Sequence, residues 1–397
     1  MKIITLLGDG MADIKYPELG DKSPLQAAHT PNMDFMAVNG QVGMAKTVPD
    51  GMPPGSDVAN LSVFGYDPST CYTGRSPLEA ISMGVALGPA DVAFRMNLVT
   101  LGQRDGEAVM DDFSSGHISS EEGRQIVETL QQELGSSEFE FHAGVSYRHL
   151  MVWRGGRDGM SVTPPHDITG RPVSSYLPTG DGAEVLRNIM ERSAELLKGH
   201  PVNRSREAVG KKQTTSVWLW GHGKVPGMVS YRERFGLSGA VISAVDLIKG
   251  IGLCAGLDAI DVEGATGYID TNYLGKAQAA LKALEDHDFV YVHVEAPDEA
   301  AHAGRMDHKL QAIEDFDRLV VGTVLDGMKK FDKYAVLCAP DHPTPVSLMT
   351  HTAAPVPFVI YRGGVGIGNG ANAYDEEQAA ATGVVVEGHQ LMEMMLA

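Results

Sequence analysis

Cysteine is scarce in this sequence: Cys71, Cys254 and Cys338 are the only ones in 397 residues. Three scattered cysteines form neither a disulfide framework nor a thiolate metal cluster, and they fit a reducing cytoplasm best. Long apolar runs are also missing, since no segment approaches the ~20 uncharged apolar residues that cross a bilayer. The short N-terminal run 3–7 is followed by Asp9, so it predicts a buried strand and not a signal peptide. We expect a cytoplasmic protein without a membrane partner.

Basic residues are outnumbered, with 32 Lys and Arg against 51 Asp and Glu, and the net charge is −19. Nucleic acid is therefore excluded as a partner, because it requires a basic surface. A small phosphorylated metabolite would also be repelled at long range, so it would need metal ions or clustered arginines nearby. The sequence has no G-x-x-x-x-G-K-[ST] segment, which excludes a P-loop nucleotide site.

Apolar strand-like runs alternate with helical patterns at both ends of the chain, as in a doubly wound, mostly parallel α/β sheet covered on both faces. The strand-like runs are 2–7, 289–294, 334–337 and 357–361, and the helical patterns are 273–284, 307–330 and 390–395. The middle differs, with shorter strands and two amphipathic helices over 120–134 and 182–197. We expect a catalytic domain built from 1–95 plus 235–397, with a smaller α/β or α+β domain inserted at 96–234.

Aspartate and histidine follow three of these strands, at the edge where α/β sheets bind ligands. The set comprises Asp9, Asp298, His302, Asp341, His342 and His351. Asp298 and His302 are four residues apart, so on a helix they share one face. Each motif alone has a simpler explanation: a solvated helix face, an N-cap aspartate or a turn histidine. Their joint occurrence at strand ends favours metal ligands.

Mixed oxygen and nitrogen donors suit Mn²⁺ or Zn²⁺ better than Mg²⁺ or Ca²⁺. Six ligands are too many for one tetrahedral ion, but they fit two ions ~4 Å apart, the arrangement used in phosphoryl transfer. Ser56 follows Pro53-Pro54-Gly55 and precedes a helical pattern. At a helix N-terminus it is either an N-cap or, beside the metal ligands, an activated nucleophile.

Several motifs together resemble the 2,3-bisphosphoglycerate-independent phosphoglycerate mutases. The short, archaeal-type branch of that family, within the alkaline phosphatase superfamily, is the most similar. The motifs are Gly8-Asp9-Gly10-Met11-Ala12-Asp13, Pro31-Asn32-Met33-Asp34, Gly55-Ser56-Asp57-Val58-Ala59-Asn60, Gly65-Tyr66-Asp67-Pro68, Tyr72-Thr73-Gly74-Arg75, Pro297-Asp298 with His302, Pro340-Asp341-His342 and His351-Thr352. The resemblance implies an alkaline-phosphatase-like fold.

The resemblance also implies a mechanism that converts 3-phosphoglycerate to 2-phosphoglycerate. Ser56 takes the phosphoryl group, the glycerate reorients in a pocket closed by the second domain, and the phosphate returns to the other hydroxyl. Two divalent ions, Mn²⁺ before Zn²⁺, would be bound, with no 2,3-bisphosphoglycerate and no nucleotide. By position in the family's motifs, one ion belongs to Asp9, Ser56, Asp341 and His342, and the other to Asp298, His302 and His351.

Substrate contacts follow less directly from the resemblance. In the inserted domain His117 resembles the family histidine that lies near the transferred phosphate. Arg148 is the second candidate there, because arginine's fork suits carboxylate and phosphate. Arg75 either approaches the phosphate or pairs with Glu79, four residues on. The long branch has a lysine just before a tyrosine, whereas here Gly267 precedes Tyr268 and the next lysine is Lys276.

Other functions fit the same residues. A homoserine kinase-like phosphotransferase or a phosphomonoesterase would keep the metal and serine chemistry and change only the acceptor. A sulfatase is excluded because the sequence has no C-x-P-S-R-like segment. A non-enzymatic metal-stabilised protein would instead have closed sites and no serine at the metal. The oligomeric state does not follow from the sequence.

Overall fold

Fifteen strands and sixteen α-helices make up the chain, and the computed structural model describes all residues 1–397. The strands are β1 Lys2–Gly8, β2 Gln41–Lys46, β3 Val92–Arg104, β4 Glu107–Asp112, β5 Phe139–His142, β6 Arg148–Trp153, β7 Met160–Ser161, β8 Thr179–Gly180, β9 Ser216–Gly223, β10 Gly239–Ile242, β11 Asp258–Ile260, β12 Phe289–Val294, β13 Tyr334–Ala339, β14 Val356–Arg362 and β15 Val385–Glu387. They belong to two compact units, residues 1–72 with 227–397 and residues 73–226.

The helices fall between these strands. They are α1 Pro24–Ala27, α2 Pro31–Asn39, α3 Ser56–Val63, α4 Pro68–Cys71, α5 Ser76–Ser82, α6 Ser120–Leu134, α7 Ala183–Leu197, α8 Pro201–Ala208, α9 Tyr231–Phe235, α10 Asp246–Cys254, α11 Tyr273–Asp286, α12 Ala296–His302, α13 Met306–Asp315, α14 Gly322–Met328, α15 Glu376–Ala381 and α16 Leu391–Leu396. A π-helical segment, Phe316–Val321, joins α13 to α14. The single helical pattern predicted over 307–330 is therefore one helical stretch with a π-segment inside it. No helix in the chain has the length and apolar character needed to cross a membrane.

The first unit is built on an eight-stranded sheet in the order β11-β10-β12-β1-β13-β14-β2-β15. Five neighbouring pairs are parallel, and only the two pairs made by β14 are antiparallel. This confirms the predicted mostly parallel α/β sheet. Strand β1 lies between β12 and β13, so its carboxyl end has a neighbouring strand end on each side.

Both faces of this sheet are covered, as alternate residues of β12 demonstrate. Val290 and Val292 belong to the apolar core that includes residues of α2, α11 and α13. On the other face Tyr291 stacks on Phe64 at a ring-centroid distance of 3.8 Å, and Phe289 stacks on Tyr231 at 4.8 Å. Since neither face of β12 meets water, the strand is apolar at almost every position. His293 is the exception.

The second unit contains a five-stranded antiparallel sheet in which the long strand β3 pairs with β4, β6 and β9, and β5 adds to β6. Helices α6 and α7 bury their apolar faces in the core of this unit. It is therefore an α+β unit. Its range differs from the expected 96–234, because a boundary at 95/96 falls inside β3 and because α5 packs on β3 and β9.

Candidate active site

Three strand ends bring the predicted metal ligands together in the first unit. In the parallel register Gly8 of β1 lies beside Val294 of β12, and Leu7 lies beside Ala339 of β13. Asp9 follows β1 directly. Helix α12 begins two residues after β12 and carries Asp298 and His302, while Asp341 and His342 follow β13. The strand register alone therefore places these side chains at one edge of the sheet.

The ligand atoms form two overlapping groups, each of which lies within 4.8 Å. One group is Asp9, Asp341 and His342, and the other is Asp298, His342 and His351. His342 Nε2 lies 3.2 Å from Asp341 Oδ2 and 3.6 Å from Asp9 Oδ1. His351 Nε2 lies 3.4 Å from Asp298 Oδ1. A single imidazole thus belongs to both groups, so the two groups are adjacent.

His302 completes the second group. Its Nε2 lies 3.2 Å from Asp298 Oδ2 and 2.8 Å from His351 Nε2. The hydrogen bond that His302 donates to Asp298 raises the pKa of His302 to about 9. Although burial opposes it, the hydrogen bonds of His302 and His351 hold the pKa of Asp298 well below its usual range. All six predicted ligands therefore belong to one or other of two adjacent groups.

Ser56 is the first residue of α3, and its Oγ lies 3.1 Å from His342 Nε2. One turn further on, Asn60 donates to Asp341 Oδ2 at 2.8 Å and to the Ser56 carbonyl at 2.9 Å. Tyr291 donates to Asn60 Oδ1 at 2.7 Å and so fixes the amide. The hydroxyl is thus half-buried at a helix N-terminus, where the helix dipole favours negative charge.

The charge balance of the site fits divalent cations. Asp9 is buried, and its Oδ1 has no hydrogen-bond partner. Burial and the charges of Asp341, Asp298 and Glu295 raise the pKa of Asp9 well above its usual value. Crowded buried carboxylates of this kind are stabilised by a cation. The donor set of carboxylate oxygens and imidazole nitrogens suits Mn²⁺ or Zn²⁺.

A layer of hydrogen bonds orients the ligands from behind. His293 Nε2 lies 2.8 Å from Asp9 Oδ2, and its Nδ1 lies 3.1 Å from Ser243 Oγ. The Thr344 hydroxyl donates to Asp298 Oδ1 at 2.6 Å and lies 3.1 Å from His342 Nδ1. Since the proton of Thr344 points to the carboxylate, its oxygen accepts from His342 Nδ1–H. This leaves a lone pair on Nε2, as a metal ligand requires.

Lys276 is buried behind the same ligands, where Nζ donates to the His293 carbonyl at 3.1 Å. Burial lowers the pKa of Lys276 to about 8, and the charge of Glu295 opposes this shift. Tyr268, which stands after Gly267, donates to or accepts from His308 Nδ1 at 2.7 Å. Lys276, the lysine that follows Tyr268 in the sequence, thus points into the first unit, towards the strand that carries His293.

The second unit holds a cluster of arginines around one half-buried carboxylate, Glu79. Arg75 Nε donates to Glu79 Oε1 at 2.7 Å, and Arg95 Nε lies 3.1 Å from Glu79 Oε2. Burial opposes ionisation of Glu79, but the charges of Arg95, Arg75 and Arg148 lower its pKa. Arg95 is buried and stacks on Trp220, with Cζ 4.4 Å from the ring centroid. Three guanidinium groups against one carboxylate leave an excess of positive charge.

His117 and Arg148 both lie against Tyr147. The ring centroids of His117 and Tyr147 are 6.1 Å apart, and Arg148 Cζ is 5.4 Å from the Tyr147 ring centroid. Both candidate side chains are exposed. His117 ends a left-handed turn in which Ser115, Gly116 and His117 have φ of 50°, 64° and 49°. The buried Arg206 holds this turn by donating to the Ser115 carbonyl. Outside glycine, left-handed backbone is costly and is concentrated at functional sites.

The comparisons with known proteins agree with this geometry. The model of the family described as 2,3-bisphosphoglycerate-independent phosphoglycerate mutase matches residues 37–203. A probable 2,3-bisphosphoglycerate-independent phosphoglycerate mutase of Geobacter sulfurreducens is 62% identical over 397 residues, covering 100% of both chains. The enzyme of that name from Methanosarcina barkeri is 51% identical over 384 residues, covering 96% of this chain and 95% of the relative. The chain belongs to this mutase family.

Solved structures agree with the family assignment. The PH0037 protein from Pyrococcus horikoshii superposes with a TM-score of 0.85 at 30% identity, covering 100% of this chain and 96% of that one. A cofactor-independent phosphoglycerate mutase from Thermoplasma acidophilum gives a TM-score of 0.68 at 27% identity, covering 100% of this chain and 99% of that one. The family of the mutases, predicted from the motifs, is thereby confirmed, and the chain is an isomerase by family.

Several residues of these two clusters were not expected from the sequence. They are Asn60, His293 and Thr344 behind the ligands in the first unit, and Arg95 in the arginine cluster of the second unit. Asn60 could have been found, because it stands four residues after Ser56 and so shares its helix face. His293 is a histidine in an otherwise apolar buried strand, which is also a readable signal. Arg95 carried none, since its partners Glu79 and Trp220 come from other segments of the chain.

Metal binding is expected to release at least one proton, because the pKa of His302 is about 9 before a metal binds. A histidine whose folded pKa is raised stabilises the metal-free fold below pH ~6.5, and this stabilisation is lost as the pH rises through about 9. Below pH 9 the proton competes with the metal, so Mn²⁺ affinity should rise about tenfold per pH unit.

Calorimetric titration of Mn²⁺ in buffers of different ionisation enthalpy measures this release. His302→Gln should lower the number of protons released on Mn²⁺ binding by one. An affinity that did not change between pH 7 and 9 would contradict the expected competition.

Proposed function

We propose that the protein interconverts 3-phosphoglycerate and 2-phosphoglycerate without 2,3-bisphosphoglycerate, through a phosphoserine at Ser56. The observation that carries the proposal is the position of the Ser56 hydroxyl. Its Oγ is 3.1 Å from the one imidazole shared by both donor groups, at the start of a helix. Relatives covering the whole chain are named phosphoglycerate mutases, which favours this acceptor over homoserine or water.

Two divalent ions, Mn²⁺ in our proposal, would be held by the two donor groups. Asp9, Ser56, Asp341 and His342 would hold one ion, and Asp298, His302 and His351 the other. When bound, such ions lower the pKa of a serine hydroxyl and neutralise the charge of the transferring phosphoryl group. The unpartnered Asp9 Oδ1 and the crowding of carboxylates support this assignment.

The chain's own residues then position the transfer. Ser56 Oγ gives up its proton and attacks the phosphorus of 3-phosphoglycerate, the bond from phosphorus to the 3-oxygen breaks, and that oxygen takes up one proton. The 2-hydroxyl of the retained glycerate next gives up its proton and attacks the phosphoserine. The bond to Ser56 Oγ then breaks, Ser56 Oγ takes up one proton, and 2-phosphoglycerate leaves. Asn60 holds Asp341 and Ser56 at a fixed spacing, since its side-chain amide donates a hydrogen bond to each of them.

We propose that the second unit, 73–226, binds the substrate's anionic groups. Arg148 and His117 are exposed beside Tyr147, and Arg75 with the buried Arg95 surrounds Glu79. The protein's net charge of −19 repels an anionic substrate at long range. The local excess of positive charge in the second unit would attract the substrate at short range. The proposed compartment is the cytoplasm, which suits the three free cysteines.

A coupled assay tests the reaction. The Mn²⁺-loaded protein is incubated with 3-phosphoglycerate, and 2-phosphoglycerate is detected through enolase, with metal-stripped protein as the control. We expect product only when metal is present. No 2-phosphoglycerate from the loaded protein would refute the mutase function. Release of inorganic phosphate would instead indicate a phosphomonoesterase, and phosphoryl transfer to added homoserine would indicate the kinase-like activity.

Replacing Arg148 by methionine should raise KM for phosphoglycerate about 10–100-fold, because a charge-assisted hydrogen bond contributes roughly 1.5–3 kcal/mol. The side chain is exposed, so stability should hardly change. Arg157→Met is the matched control: Arg157 is also an exposed arginine of this unit, but it pairs with Asp181. Steady-state kinetics of both variants decide the point, and an unchanged KM in Arg148→Met would remove Arg148 from the substrate site.

A further inference from the structure

Lys309 and Asp13 form an ion pair inside the first unit, and neither side chain has any exposed surface. Lys309 belongs to α13, and Asp13 belongs to the loop that follows Asp9. Nζ lies 2.7 Å from Asp13 Oδ2. A buried ion pair seldom stabilises a fold more than a well-packed apolar pair would. Its contacts are therefore the better guide to its role.

All three protons of the Lys309 ammonium have acceptors. Besides Asp13, Nζ donates to the Thr344 carbonyl at 2.8 Å and to the Ala12 carbonyl at 3.4 Å. The Thr344 amide in turn donates to the Ala12 carbonyl at 3.1 Å. One ammonium thus ties the loop after β1, which carries Asp9, to the loop after β13, which carries His342.

The Asp13 carboxylate is saturated with donors from the same two loops. Oδ1 accepts from the Ile14 amide at 2.7 Å and from the Tyr16 hydroxyl at 2.8 Å. Oδ2 accepts from Lys309 and from the Val346 amide at 3.2 Å. These four donors fix the position and the orientation of the Asp13 carboxylate.

Thr344 connects this pair to the metal ligands. Its backbone is held by Lys309 and Ala12, while its hydroxyl donates to Asp298 and accepts from His342. A displacement of the Thr344 backbone would therefore disturb two hydrogen bonds at once, the one to Asp298 and the one from His342. Groups that hold metal ligands from behind commonly change metal affinity 10–100-fold when they are replaced.

We propose that Lys309 and Asp13 are a positioning pair, which fixes Thr344 and through it sets the geometry of Asp298 and His342 for metal binding. This inference rests on the two-ion function proposed above. Neither side chain belongs to a donor group, so the pair acts on the ligands through Thr344. It acts by holding two loops at a fixed spacing before any ion binds.

The decisive variant is Lys309→Met with Asp13→Asn, which removes both charges and nearly keeps both volumes. Lys309→Met alone would leave a buried carboxylate without its partner. Metal-free wild type and double variant are compared by thermal unfolding, by Mn²⁺ titration calorimetry and by the visible spectrum of bound Co²⁺. We expect a similar unfolding temperature, an Mn²⁺ affinity about 10–100-fold weaker and an altered Co²⁺ spectrum.

Tyr16→Phe is the control, because it removes a hydrogen bond to the same carboxylate and one from the Ser347 amide but leaves the contacts of Lys309 and Thr344 intact. It should lower stability and keep the affinity and the spectrum. Wild-type affinity and spectrum in the double variant would overturn the positioning role. If the double variant did not fold, Asp13→Asn alone must weaken Mn²⁺ binding for the role to stand. A wild-type protein that bound neither ion would refute the two-ion function itself.

Discussion

Ser56→Ala is expected to abolish formation of the phosphoenzyme and to lower mutase activity by at least about 10⁴-fold, as loss of a nucleophile does in other covalent catalysts. The alanine has no oxygen to accept the phosphoryl group. Thr344, whose hydroxyl also contacts the shared imidazole, faces Nδ1 of His342 instead of Nε2. Metal content should stay close to two equivalents, since six of the seven proposed ligands remain. Mass spectrometry of the protein quenched with 3-phosphoglycerate measures the phosphoserine.

The matched control is Ser62→Ala, on the same helix. Ser62 is buried and its hydroxyl donates to the Thr47 carbonyl, so the change should cost about 1 kcal/mol of stability and leave the phosphoenzyme intact. A phosphorylated Ser56→Ala protein would identify another nucleophile. If the variant also lost its metals, Ser56 would be shown to be a metal ligand. Its role as nucleophile would then be tested by identifying the phosphorylated peptide of the wild-type protein.

The parallel sheet and the gathering of the ligands were predictable because both depend on local patterns. An apolar run marks a buried strand, and the residue after it lies at the ligand-binding edge. The chain order of Asp9, Asp298 and Asp341 therefore placed three carboxylates together before the strand order was known. The structure adds what the pattern lacks: β1 stands between β12 and β13, and this adjacency is what makes three strand ends one site.

The supporting contacts were not predictable, because they join residues far apart in the chain. Thr344 reaches Asp298 across 46 positions, and His293 reaches Asp9 across 284. No spacing rule connects such pairs. The sharing of His342 between both donor groups is of the same kind, since the family's motifs predict it as a ligand of one ion only. The boundary of the second unit was not predictable either, because α5 joins the unit by packing on β3 and no change in composition marks it.

Asp298→Ala should remove roughly one of the two metal equivalents and most of the mutase activity. Asp298 Oδ2 lies 3.2 Å from His302 and its Oδ1 lies 3.4 Å from His351, so its loss leaves that group with imidazoles alone and no carboxylate. The other group keeps Asp9, Asp341 and His342, and it should keep its ion. Elemental analysis of the purified protein after dialysis counts the equivalents.

Glu299→Ala is the control for this change. Glu299 is the next residue of the same helix but is exposed, because successive helical positions point about 100° apart. It should keep both equivalents and full activity. Retention of both ions in Asp298→Ala would refute the two-ion assignment, whereas loss of both would mean that the ion at His342 depends on its neighbour. The shared imidazole gives a physical route for that dependence, so the number of equivalents lost measures how far His342 couples the two sites.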